Sequence, residues 1–333
     1  MKSSAAAQIR QARSMPLWMA SRSLLGRQAA EFFLRWKKTA EGLQEDDVHD
    51  LRVASRRLRE GLALFSPCLP TKRTGKVIKQ VKAVTNLLGN LRNTDEAVLF
   101  FSALSGEGRG EGRGQGEGKG QAPFNEVKGA SPPAAGASPP AAEIERLLAA
   151  LRGEREQAHK RLKKELKHLP PGPLRRALYA SRNRQNVFSN NGICQFISIS
   201  SFADQALKER AQLLVELLPS ASNEIDSEGQ HRLRIAIKKM RYRLEILAPL
   251  MNKNGYDELH AALKGYQDVL GKLHDIDVFR DLVLERLPEG AGRDGLLGSM
   301  AEKRSAIYAR FLEMLKSFPL ESVGEKASGA LSR

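Results

Sequence analysis

Apolar residues recur at spacings of three and four along most of this chain, and the breaks in that rhythm outline its elements. The pattern predicts helices at about 16–41, 46–66, 72–104 and 143–168, then at about 201–218, 228–249, 253–286 and 294–317. Pro67, Pro70, Pro170, Pro171, Pro249 and Pro319 fall between them, where a missing N–H and a fixed φ stop a helix. Strict alternation is rare, and CQFISIS at 194–200 is the one short candidate strand. The fold class expected is all-α. Two stretches depart from the rhythm. Residues 105–142 run through GEGRGEGRGQGEGKGQ and GASPPAAGASPPAA, which cannot bury a core and read as a flexible insert. Residues 170–200, rich in Pro, Asn and Ser, read as the join between two helical halves.

The helices repeat. VHDLRVASRRLREGLALFSP (48–67) aligns without gaps onto QHRLRIAIKKMRYRLEILAP (230–249), an offset of 182 residues. At the same offset VKAVTNLLGNLRNTDEAV (81–98) matches LKGYQDVLGKLHDIDVF (263–279), superposing Lys82 on Lys264, Gly89 on Gly271 and Asp95 on Asp277. Two blocks at one constant offset mark a tandem duplication.

Helical phase sorts the first block. At about 100° per residue, His49, Arg52, Arg56 and Arg59 share one narrow stripe, while Leu51, Leu58, Leu62 and Phe65 gather opposite. The second copy sets His231, Arg234, Lys238 and Arg241 against Leu233, Met240, Leu244 and Leu247. A solubilising face mixes signs into i,i+4 pairs. This face is almost purely positive, and it recurs, so it reads as an anion-binding surface. Arg supplies a bidentate fork to phosphate oxygens, Lys a mobile point charge, and His a donor that becomes cationic near neutral pH. On the next helix Lys82, Gly89 and Asn93 share a face, as do Lys264, Gly271 and Asp275. A mid-helix glycine costs about 1 kcal/mol against alanine, and close approach of another helix is the favoured explanation. Asp95 and Asp277 fall toward the apolar side, where pairing with an arginine is expected.

Composition supports a polyanionic partner. The 333 residues carry a formal net charge of +16, with only 6% aromatic residues. Nucleic acid and polyphosphate share phosphate contacts, so charge does not separate them. Single-strand binders stack bases on exposed rings, and the basic stripes contain almost none, Tyr242 being the nearest. Cys68 and Cys194 form no CxxC, which points to a reduced compartment and no structural zinc. No apolar run has the length of a signal peptide or a membrane span, so a soluble cytoplasmic protein without membrane association is expected.

Enzyme chemistry finds little footing. His49-Asp50 and His274-Asp275 are HD dipeptides of the kind seen in metal-dependent phosphohydrolases, but the counterpart of Asp50 is Arg232, and a cationic stripe repels a divalent metal. There is no Walker loop and no GxSxG. No catalytic residue, metal or cofactor is expected.

HDLRVASRRLREGLALF with its copy HRLRIAIKKMRYRLEIL, and the paired LGNLRNTD and LGKLHDID, resemble the CHAD family, the conserved histidine α-helical domain. The resemblance spans about 15–320, with halves at 15–169 and 201–319 and the insert at 105–142 outside it. It implies tandem four-helix bundles related by pseudo-twofold symmetry, with a basic cavity between them that binds inorganic polyphosphate, and association with polyphosphate granules. The family's basic positions carry over onto His49, Arg52, Arg56, Arg57, Arg59 and Lys82, then His231, Arg234, Lys238, Lys239, Arg241 and Lys264. Asn93 and His274 depart from the family's LGxxRDxD pattern.

Overall fold

Leu51, Leu58, Leu62 and Phe65 are buried to 1% exposure or less, and so are their counterparts Leu233, Met240, Leu244 and Leu247. The apolar stripe predicted for each basic helix therefore faces the core. The computed structural model describes residues 13–105, 141–169, 171–183 and 196–332. Cys194 lies outside these residues, as does the expected insert except at its edges. Within the described residues the first half holds α1 (Leu17–Gly42), α2 (Glu45–Leu64), α3 (Thr71–Ser105), α4 (Ala141–His168) and α5 (Pro171–Asn183). The second half holds α6 (Ile199–Ala221), α7 (Ser227–Leu247), α8 (Lys253–Arg286), α9 (Ala291–Ser317) and α10 (Val323–Ser332).

Local chemistry explains where these helices begin. Glu45, Asp46 and Asp47 crowd the first turn of α2, where carboxylates complement the helix dipole. The Asp226 side chain accepts from the Gly229 N–H at 2.7 Å to open α7, and Asn252 accepts from Gly255 at 2.9 Å to open α8. Pro67 and Pro249 sit in equivalent 3₁₀ turns, Ser66–Cys68 and Ala248–Leu250.

Packing follows chain order twice over: α1 on α2, α2 on α3 and α3 on α4, then α6 on α7, α7 on α8 and α8 on α9. Each half adds a fifth, short helix that the sequence reading did not anticipate. α5 lies against α1 and α3, and α10 lies against α6 and α8. Proline is tolerated in the first turn of a helix, where the N–H has no partner anyway. Pro171 and Pro173 therefore start α5, and Leu174 and Leu178 bury one turn apart. CQFISIS makes no strand among its described residues. Its end enters α6, and Ser198 forms one isolated antiparallel bridge with Pro16. There the Leu17 N–H donates to Ile197 O at 2.9 Å and the Ile199 N–H donates to Met15 O at 2.9 Å. Pro16 and Ser198 are 182 positions apart, the offset of the repeat, so the bridge joins equivalent points of the two halves.

Asp95 and Asp277 anchor the fourth helix of each half. Arg155 Nε of α4 donates to Asp95 at 2.5 Å. Arg304 Nε of α9 donates to Asp277 at 2.7 Å, and its remaining nitrogens bond Glu224 O and Gln230 Oε1. The structural role expected for both aspartates holds.

Candidate functional site

The basic helices α2 and α7 pack against each other and join the two halves. Their crossing is close at Gly61, where a Cβ would stand 3.2 Å from Leu25 Cδ2 of α1 and 3.5 Å from Ile246 Cδ1 of α7. Two buried carboxylates pin the crossing from opposite sides. Arg57 Nε donates to Glu245 at 2.6 Å, and Arg241 Nη1 lies 3.1 Å from the same carboxylate. Arg243 Nε donates to Glu60 at 2.8 Å, with Arg210 Nη2 at 3.5 Å. His260 Nε2 stands 3.1 Å from Glu245. Of the candidate cations, Arg57 is thus engaged between the halves. Sequence reading passed over Glu60 and Glu245; the hint was an acid at a buried phase of an otherwise basic helix.

Charges from both halves act on Lys238, half-buried on α7: those of Arg234, Arg56, Arg52 and Arg241. Burial first, and then these like charges, push its pKa down to about 6. Arg234 is lowered as well, by burial, with Arg56 adding to the effect and Asp275 and Glu96 opposing it. Burial and then Arg56 lower Arg59. The Nε atoms of Arg59 and Arg234 are buried and meet no hydrogen-bond acceptor among the described residues. A buried donor left unmade is costly, and both belong to a group that already repels itself.

Histidines border the cluster. His231 Nδ1 and His274 Nδ1 stand 3.2 Å apart, with ring centroids at 4.4 Å. Burial, then Arg234, His231 and Lys238, push His274 down to about 4; burial and Arg234 also lower His231. Two neutral rings are what this field permits at neutral pH. His274 stood out in the sequence only as a departure from a pattern. His49 is half-buried on α2, at the head of the first stripe.

The third helices line the same region. Close helix packing does not explain their glycines. Among the described residues a Cβ on Gly89 would meet nothing within 4 Å, and one on Gly271 would meet only Arg234 Nε, at 3.8 Å. Gly271 keeps the space beside Arg234 open. Lys82 and Lys264 are exposed on these helices, each seven residues before its glycine. Lys264 is one turn from Gln267, whose Oε1 accepts from Arg241 Nε at 3.1 Å. Lys239 is exposed, one position past Lys238 on α7. Two cavities, of about 380 and 260 Å³, lie elsewhere, between α6 and α10 and between α1 and α5. Among the described residues no three His, Cys, Asp or Glu side chains gather as metal ligands, and no helix is long and apolar enough to cross a membrane.

Chemically, this is a surface deficient in acceptors. It offers forked donors and point charges from two directions, with few carboxylates to neutralise them.

The comparisons agree with this architecture. The chain resembles the crystal structure of the CHAD domain from the plant Ricinus communis, with a TM-score of 0.55 and 18% identity over 95% of this chain and 92% of that one. It also resembles PptA from Streptomyces chartreusis, with a TM-score of 0.63 and 12% identity over 90% of this chain and 99% of that one. No curated protein matches. The family model of the CHAD domain matches residues 23–284, which takes in both basic helices and both glycine-bearing helices, and the chain belongs to that family.

Proposed function

We propose that the protein binds inorganic polyphosphate where the two basic stripes meet, without turning it over, and that this binding places it at polyphosphate granules. The observation that carries the reading is the convergence of Arg52, Arg56, Arg234 and Arg241 on Lys238 from both copies of a duplicated helix. A chain of phosphates supplies an acceptor at every repeat, which suits the buried Nε donors of Arg59 and Arg234. Membership of the CHAD family supports the same reading. Nucleic acid fits less well. Tyr242, the aromatic residue nearest the stripes, is 4% exposed and already takes the Arg241 guanidinium at 5.4 Å, so it has no face for a base. Metal-dependent hydrolysis fits poorly too, because the histidines of the site stand in a field of guanidiniums.

The test is charge reversal. Arg52→Glu, Arg56→Glu, Arg234→Glu and Lys238→Glu together are expected to abolish retention on immobilised polyphosphate while helicity by circular dichroism persists. Unchanged affinity in the folded variant overturns the proposal. Single-stranded RNA at matched phosphate concentration is expected to compete weakly; equal competition shifts the assignment to nucleic acid.

A further inference from the structure

The duplication provides an internal control for charge. The two halves share their central cations, yet their outer ends differ. Residues 71–82 of α3 carry five cations and no acid; the equivalent 253–264 carries two cations and two acids. Residues 159–168 of α4 carry five cations and one acid, against two and one in 308–317. In α5, 171–183 holds three arginines and no acid, against one cation and two acids in 320–332. Among the described residues three of the five second-half cations are paired, Lys253 with Asp257 at 2.5 Å, Lys316 with Glu313 at 2.7 Å and Lys326 with Glu258 at 2.6 Å, and in the first-half segments Lys160 pairs with Glu156 at 2.7 Å. Folding alone therefore does not require a positive end, because the same scaffold is built with a neutral one.

These segments belong to three helices of the first half, two of which pack on the third. α4 packs on α3, and Arg155 is joined to Asp95 at 2.5 Å. α5 follows α4 after a short turn and packs back on α3. Lys72, Lys76, Lys79, Lys163, Lys164 and Lys167 are all exposed there. The row on α3 runs from Lys82, one of the candidate cations, over about 15 Å to Lys72. Tyr179, in α5, is occupied by the guanidiniums of Arg175 and Arg182, at 5.8 and 4.7 Å, so it is not free to stack on a base.

Resting on the polyphosphate reading above, we infer that this outer basic surface of the first half holds the part of a long polyphosphate chain that leaves the central site, making the protein selective for long chains. The grip differs in kind from the centre. Exposed lysines are mobile, hydrated point charges, so their contribution is delocalised and sensitive to salt, whereas the half-buried arginines at the centre recognise a few phosphates closely.

The experiment compares tripolyphosphate with a chain of about 100 phosphates, titrated against the full chain across salt concentrations. The variant is Lys76→Glu, Lys79→Glu, Lys163→Glu, Lys164→Glu and Lys167→Glu, with the central residues untouched. Tripolyphosphate affinity is expected to stay within about twofold, while the long chain weakens by about tenfold or more at low salt and its affinity falls less steeply as salt rises. An unchanged long-chain affinity overturns the inference, as does an equal loss for both ligands, which marks the patch as a general attractor. A variant that loses only single-stranded RNA binding overturns it in favour of nucleic acid. Failure of the wild type to bind either phosphate chain overturns the underlying function instead, so the two failures are distinguishable.

Discussion

Lys238 is the one side chain of the central cluster that can shed its charge at ordinary pH, because arginine stays protonated. Its folded pKa of about 6 lies well below the unfolded value of about 10.4. Between those limits the unfolded chain binds more protons, so the lysine penalises folding fully below pH 6, and the penalty fades as pH rises toward 10. Lys238→Met is therefore expected to raise the unfolding free energy at pH 7.5 by on the order of 4 kcal/mol, with the gain vanishing above pH 10. Urea midpoints across that range check it, and a destabilised variant at pH 7.5 contradicts it. A bound polyanion reverses the balance by favouring the ammonium. Calorimetry in buffers of different ionisation enthalpy is then expected to show proton uptake on binding near pH 7.5, lost in Lys238→Met, with affinity declining from pH 6 to pH 9. Asp277 provides the contrast. Its removal strands Arg304, so Asp277→Ala is expected to cost about 3 kcal/mol of stability while leaving the affinity of the folded protein unchanged.

At the scale of elements, the glycines of α3 and α8 separate packing from binding. Gly89 faces open space, so Gly89→Ala is expected to stabilise the protein by about 1 kcal/mol through helix propensity alone, with affinity nearly unchanged. Gly89→Phe is expected to fold equally well and to weaken polyphosphate binding by filling the space the chain needs; thermal melts with a titration decide both. The eight long helices were legible in the sequence because buried Leu, Val and Phe recur at three and four. α5 was not, since Pro171, Gly172 and Pro173 disguise a helix start as a linker. α10 was not, because much of its buried face is Ala327 and Ala330, too small to mark a hydrophobic stripe. The two cation rows were legible from phase. Which cations would be spent on the partner helix was not, because periodicity fixes a face and says nothing of what crosses it. Arg57 reads like Arg56 in sequence, yet the crossing hands it to Glu245.

The whole molecule balances the cohesion of its halves against the charge of its site, and Glu245 lies on that boundary. It accepts from Arg57 and His260 and pairs with Arg241, holding α2 to α7 while neutralising cations beside Lys238. Glu60 pins the same crossing but through Arg243 and Arg210, which are not among the cations acting on Lys238. Either carboxylate, made neutral, leaves buried guanidiniums uncompensated, so Glu245→Gln and Glu60→Gln are each expected to lose about 3 kcal/mol of stability. Their effects on binding are expected to diverge. Glu245→Gln removes a negative charge from the site and loosens Arg57 and Arg241, so tripolyphosphate affinity rises by about three- to tenfold at low salt. Glu60→Gln leaves it within about twofold, since of the stripe cations Glu60 acts on Arg59, which is outside the set acting on Lys238. Parallel titrations below the unfolding transition of both variants measure the difference. If both lose affinity together, the angle of the crossing and not its charge sets the site, and Glu245 is then a fastener in the same sense as Glu60. If they diverge as expected, the protein holds part of its binding strength in reserve to keep its two halves joined.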